Sequence, residues 1–148
     1  MCAIATVTPA GRAHVNTAYF AWDADWRVVW LSEPRARHSR NLRKDATAAV
    51  AVFDSRQTWG KPDRGIQLFG SALEAIGPAA ETARETYERR FPQYGRRDLG
   101  AYRLYELRPR RLKLFDEGAL GAATFVTARV RRDGRLSWER TEIYDSSR

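Results

Sequence analysis

Cysteine is nearly absent: Cys2 stands alone, so neither an intrachain disulfide nor a cysteine-rich metal site is available. Histidine is almost as scarce. His14 and His38 are the only two, which excludes a multi-histidine zinc centre. No run approaches the ~20 apolar residues of a membrane span. Met1-Cys2-Ala3-Ile4-Ala5 lacks the basic start and long apolar core of a signal peptide. The expected compartment is therefore the cytoplasm. No Walker loop and no Gly-x-Gly-x-x-Gly occur, and no Ser-His-Asp arrangement has support.

Lysine is rare too. Of 26 basic residues only Lys44, Lys61 and Lys113 are lysine, and the rest are arginine. The net charge of +8 suits an anionic small molecule as well as nucleic acid. No helix-turn-helix, zinc-finger or RNA-recognition signature accompanies it, so no nucleic-acid partner is expected. What is present is ample apolar material. Hydrophobic residues make up 43% of the 148, enough for one folded domain over residues 1–148.

Short apolar, β-branched runs separated by turn residues dominate the chain. Ile4–Thr8 ends in Pro9-Ala10-Gly11-Arg12, and Ala13–Trp22 follows as one extended run, which reads as a hairpin. Arg27–Ser32, Ala48–Phe53 and Gly65–Ile76 are the next strands. Ala101–Leu107, Leu112–Phe115, Thr124–Val130 and Leu136–Tyr144 complete them, with Asp133-Gly134 as a hairpin turn. One helix is clear. Pro78 opens it, Ala79, Ala83, Tyr87 and Phe91 repeat at four-residue spacing, and Pro92 and Gly95 close it. A shorter helix fits within Arg35–Asp45, with Leu42 turned inward. The fold class is mainly β: six to eight antiparallel strands in a closed or nearly closed barrel, with one clear helix.

The segment most suggestive of chemistry runs from Val28 to Val52. A strand ends at Leu31-Ser32, and Arg37, His38, Arg40 and Asn41 follow before the next strand begins. Arginine's planar fork and a histidine ring nitrogen are suitable phosphate donors. On chemistry alone the cluster reads more readily as a solvated charge run on a surface helix.

Leu31-Ser32, then Arg37-His38-Ser39-Arg40-Asn41-Leu42, resembles the flavin-binding segment of the pyridoxamine 5′-phosphate oxidase-like split-barrel family. Two further segments are similar to that family: Asn16-Thr17-Ala18-Tyr19, at the place of the strand along the flavin, and Gly65-Ile66-Gln67-Leu68-Phe69-Gly70. The resemblance implies an FMN-binding split barrel. Ser32, Arg37 and His38 would hold the phosphate, with Arg40 and Asn41 as weaker candidates. Asn16, Thr17, Ala18, Leu31 and Gln67 would line the ring, and Trp59, in a Gly/Pro loop, is a candidate for the ring or substrate pocket. It further implies a homodimer with the flavin at the interface and hydride transfer to or from a small molecule, with NAD(P)H as a conceivable donor. The deazaflavin F420, haem, or a non-catalytic flavin-binding or sensing role are the alternatives. No metal site and no membrane partner are expected.

Three departures from the family in residue type are visible, and one in the elements. Ala21 stands where the oxidases carry a lysine, no histidine follows His38, and lysine is the commoner residue at the His38 position. Pyridoxamine phosphate oxidation is therefore not expected. The helix that usually precedes the first strand is also missing or replaced.

Overall fold

The structure is a computed structural model, and it describes residues 1–94 and 100–144. Gly95, expected to help end the long helix, lies outside the described residues. In chain order the elements are β1 (Cys2–Val7), β2 (Ala13–Ala18), β3 (Phe20–Trp22), β4 (Val28–Ser32), α1 (Arg37–Leu42) and β5 (Thr47–Phe53). These are followed by β6 (Arg64–Glu74), α2 (Pro78–Arg90), β7 (Arg103–Asp116), α3 (Glu117–Leu120), β8 (Thr124–Val130) and β9 (Leu136–Ile143).

All nine strands join one antiparallel sheet in the order β2-β1-β5-β6-β7-β4-β3, with β8 and β9 continuing from β7. The two ends of that path, β2 and β3, are separated in the chain only by Tyr19. The sheet therefore curls far enough to bring one end of β2 to the start of β3, with no ladder between these two strands, and stays an open, barrel-like sheet. The expected single run Ala13–Trp22 is thus two strands, broken at Tyr19 where the chain passes from one edge to the other.

The strand count also exceeds the expected six to eight, although two expected strands prove to be one. Ala101–Leu107 and Leu112–Phe115 are parts of the 14-residue β7. Pro109 lies between the two expected strands and has no N–H for the ladder. It is accommodated at a register shift against Phe69/Gly70 of β6. Gly70 makes that approach possible: a Cβ there would lie 2.1 Å from the Arg108 carbonyl oxygen. The length of β7 lets its first half pair with β4 and its second half with β8. The short α3 was not expected. Its N-terminus is capped by Asp116, whose side chain accepts from the Ala119 amide at 3.1 Å.

Period-2 patterning produces the interior. Cys2, Ile4 and Thr6 of β1 alternate inward, and with Val28, Trp30, Val50, Leu68, Tyr105 and Leu107 they are 0–3% exposed. Each fully buried aliphatic side chain contributes roughly 1.5–3 kcal/mol of transfer free energy. A second, smaller core lies outside the barrel, where Ala83 and Tyr87 of α2 cover Ala21, Val29 and Leu104. The expected apolar stripe of that helix does face the protein. Helix α1 is shorter than the expected window. Leu42 is buried as expected, and so are Ser39 and Asn41, so α1 packs against the barrel through both apolar and polar side chains.

Candidate active site

The end of β2, the end of β4 and the start of α1 meet at a cavity of about 570 Å³. Asn16, Thr17, Ala18, Leu31 and His38 all line it. Five of the residues singled out from the sequence are thus brought together from three separate segments. The described lining contains no Asp, Glu, Lys or Arg side chain, and it suits an uncharged, largely planar group. Asn16 supplies a specific handle. Its Oδ1 is buried without a hydrogen-bond partner among the described residues, and its Nδ2 makes only a 3.5 Å contact to the Thr17 carbonyl. A buried, unpaired carbonyl oxygen is costly and calls for a donor, such as an N–H of a bound ring or a water.

His38 is fixed from behind. Its Nε2 lies 2.6 Å from Ser32 Oγ, which also contacts Ser39 Oγ at 3.0 Å and the Glu33 carbonyl at 3.3 Å. A serine hydroxyl donates once and accepts twice. If it donates to Glu33, it accepts from both Ser39 and His38 Nε2–H, and His38 Nδ1 is left bare. If it donates to His38 Nε2, the weaker Glu33 contact is given up and Nδ1 carries the proton. In either arrangement Nδ1 is the nitrogen left for a ligand, and Ser32 sets its protonation. Burial holds the His38 pKa below its usual value, and the nearby His14 adds a smaller push in the same direction. The unliganded imidazole is therefore neutral at neutral pH.

The remaining expected site residues divide. Ser32 is 4% exposed and does not line the cavity. Its hydroxyl is engaged with His38 and Ser39, so in this geometry it positions His38. Arg37 is exposed on the neighbouring position of α1, free to approach an anion at the cavity rim. Asn41 is turned away: it is 3% exposed, and its Nδ2 donates to Thr6 Oγ1 at 3.0 Å. Thr6 Oγ1 in turn lies 3.4 Å from His14 Nδ1. This is a structural network beneath α1, and it corrects the assignment of Asn41 as a ligand-facing residue.

Gln67 lies on β6 between Ala51 and Lys113 and does not line this cavity. Trp59 is 99% exposed and lines a different cavity of about 650 Å³, beside Lys61, Asp63 and Glu117. The chain by itself does not bring either residue to the Asn16–His38 cavity.

Several lining residues were not anticipated. Tyr19, Tyr87, Tyr94 and Tyr102 complete the walls. Tyr87 packs its ring 4.9 Å from Phe91 and 6.2 Å from Tyr94, and Tyr19 meets Phe91 edge-on at 6.0 Å. Tyr87 could be found in the sequence only as part of the α2 apolar stripe, where it reads as core. It is both: 5% exposed, with its hydroxyl pushed up to about 12 chiefly by burial, and so protonated at neutral pH. Ala21, at the position of the oxidases' lysine, is 1% exposed beneath α2, so no cation is offered there.

Comparison with solved structures places this arrangement in a known fold. A haem-binding protein from Mycobacterium smegmatis is 20% identical, with a TM-score of 0.66, 93% of this chain covered and 51% of that one. A pyridoxamine 5′-phosphate oxidase-related, FMN-binding protein from Nostoc punctiforme is 13% identical, with a TM-score of 0.65 and coverage of 93% and 84%. The haem storage protein HutZ from Vibrio cholerae is 19% identical, with a TM-score of 0.59 and coverage of 73% and 80%. The chain spans about half the length of the M. smegmatis protein and of a similar Agrobacterium tumefaciens protein of unknown function. No curated protein matches. The pyridoxamine 5′-phosphate oxidase family pattern matches residues 1–116, which takes in β1 to β7 and every expected site residue. Barrel, cavity and sequence match agree, and the chain belongs to the pyridoxamine 5′-phosphate oxidase family.

Proposed function

We propose that the chain binds FMN in the Asn16–His38 cavity and is an FMN-dependent oxidoreductase acting on a small molecule. The observation that carries this reading is the convergence of Asn16, Thr17, Ala18, Leu31 and His38 on one uncharged cavity in which Asn16 Oδ1 lacks a partner. That cavity fits a ring system bearing an N–H donor. His38 Nδ1 and the exposed Arg37 fit a phosphate at its edge. The FMN-binding description of the Nostoc relative supports the same cofactor.

Bound FMN would supply two-electron hydride chemistry. The protein's own residues bind and orient. Asn16 accepts a hydrogen bond through Oδ1, the tyrosine walls exclude water, and Ser32 holds His38 at the angle a phosphate needs. With Ser32 donating to Nε2, neutral His38 donates one hydrogen bond from Nδ1, and Arg37 brings the permanent positive charge. Gln67 and Trp59, which do not line this cavity within one chain, would belong to the site only through the homodimer that the family resemblance implies. Without a cation at Ala21, a phosphorylated pyridoxine-type substrate is poorly served, and an uncharged planar substrate is favoured.

A second reading is haem binding, supported by the haem-binding M. smegmatis relative, the V. cholerae haem storage relative and an imidazole that is neutral before ligation. An absorbance spectrum of the purified protein separates the two. Two visible-range flavin bands, with FMN titrating to about one per chain, are expected. A Soret band with no flavin uptake would replace FMN by haem. Reduction of the loaded protein by NAD(P)H, followed by transfer to a trial planar acceptor, tests the enzymatic part, which a pure carrier would fail.

A further inference from the structure

The end of the barrel away from Leu31 is open. There Phe20, Trp22, Trp26, Val28, Val52 and Ile66 surround a cavity of about 200 Å³, with Leu68 at its floor. Phe20, Val28 and Leu68 belong to the buried core, and Trp26, Val52 and Ile66 pack against it, so the mouth is continuous with the barrel interior. Every lining side chain is apolar. A dry cavity of this size suits one aromatic ring or a short branched chain.

Two further features mark the mouth as more than loose packing. Trp26 hangs over it with φ +66°, a left-handed backbone that a bulky residue rarely adopts. The turn that holds it is over-determined. Asp23 Oδ1 accepts from the Asp25 and Arg27 amides at 2.9 and 3.0 Å, and Asp23 Oδ2 pairs with Arg27 Nε at 2.7 Å. The second feature is charge. The Arg90 guanidinium carbon lies 4.3 Å from the Phe20 ring centroid and 4.8 Å from that of Trp22. Both rings form the wall of the mouth. Arg90 is not itself a lining residue, but it has no carboxylate partner among the described residues, and its guanidinium rests on the faces of two rings that do line the cavity.

We propose that this mouth is a second binding site, for a small carboxylate whose apolar part enters the barrel while its anionic group meets Arg90. The apolar lining selects the buried part, the volume limits it to about six to eight carbon atoms, and the unpaired guanidinium selects the charge. It is distinct from the Asn16–His38 cavity, which lies towards the other end of β4 at Leu31.

The test uses 4-methylpentanoate and its neutral amide as probes on the purified full chain. Binding is followed by calorimetry and by the fluorescence of Trp22 and Trp26. Saturable binding of the acid with a Kd on the order of 0.1–1 mM is expected for so small a ligand. The amide should bind about fivefold more weakly, as an exposed charge pair permits. Arg90→Gln should weaken the acid about fivefold and leave the amide unchanged. Ile66→Phe fills the mouth and should abolish both, with Val52→Phe as the second blocking variant should the first fail to fold. No saturable binding to the wild-type chain, undiminished binding to a folded blocked variant, or equal affinity for acid and amide would each overturn the proposal.

Discussion

Ser32 sits where the family resemblance implies a direct phosphate ligand, yet its hydroxyl is buried behind His38. A double-mutant cycle between the two decides which role it has. In Ser32→Ala, the buried Ser39 hydroxyl and His38 Nε2 both lose their shared partner. One unpaired buried polar group costs about 1–3 kcal/mol. A loss near 2 kcal/mol lowers Tm by about 4–8 °C in a chain of this size. The freed imidazole ring of His38 no longer holds Nδ1 towards a phosphate, which costs one oriented hydrogen bond, or about tenfold in FMN affinity. His38→Ala should cost a similar factor in affinity with little loss of stability, because the imidazole is only half-buried. If Ser32 works through His38, the double variant binds FMN no worse than His38→Ala alone. Fluorescence titration of FMN against the four proteins at pH 7.5 provides the comparison. Multiplied losses, about 100-fold in the double variant, would refute the positioning role and return Ser32 to the phosphate.

Acidification tests the same histidine. Folded His38 holds its proton less tightly than the unfolded chain does, so below its usual value of 6.5 the unfolded state binds more protons and stability falls as pH drops. Urea unfolding of the FMN-free protein from pH 8 to pH 5 should show this decline, with a shallower slope in His38→Gln. FMN affinity should move the opposite way, rising on acidification by more in the wild type than in His38→Gln, since a charged His38 favours a phosphate. Arg37→Gln should leave the unfolding midpoint unchanged, weaken FMN several-fold and reduce the salt dependence of binding, as measured by titration at two ionic strengths. Asn41→Ala, losing the 3.0 Å bond to Thr6 in a buried site, should cost about 1–3 kcal/mol in denaturant unfolding and weaken FMN by less than Ser32→Ala does, since Leu42 still anchors α1. Gly70→Ala drives a Cβ to 2.1 Å from the Arg108 carbonyl and 2.8 Å from Pro109 Cα, both backbone atoms. It should cost more than about 3 kcal/mol and be detected as loss of soluble protein.

The strands were legible because half-buried β structure writes an alternating pattern into the chain, as in Cys2-Ala3-Ile4-Ala5-Thr6-Val7 with its alternating burial. The long helix was legible from its four-residue apolar spacing. The continuity of β7 was not, because the residue that makes Pro109 tolerable is Gly70, on another strand. The break at Tyr19 is also a matter of closure: the strand must leave one edge of the sheet and join the other, and no local propensity records that. In the site, the β2 residues and His38 were found through family resemblance more than through their chemistry. The tyrosine walls went unread because Tyr87 and Tyr19 look like core and strand residues until the cavity between them is seen.

Helix α1 explains why a run of polar residues carries several different roles. Successive residues on a helix turn through about 100°, so neighbours in sequence face different surroundings. Arg37 faces solvent, His38 the cavity, Ser39 the back of His38 through Ser32, and Asn41 and Leu42 the barrel. The apolar contact of Leu42 and the Asn41–Thr6 bond anchor the helix. The Ser32–Ser39–His38 contacts then transmit that anchoring to the one ring nitrogen that can meet a ligand. Barrel packing and ligand binding are therefore coupled through six residues. A cofactor that engages His38 should stabilise the barrel as a whole, by an amount set by its concentration relative to its Kd.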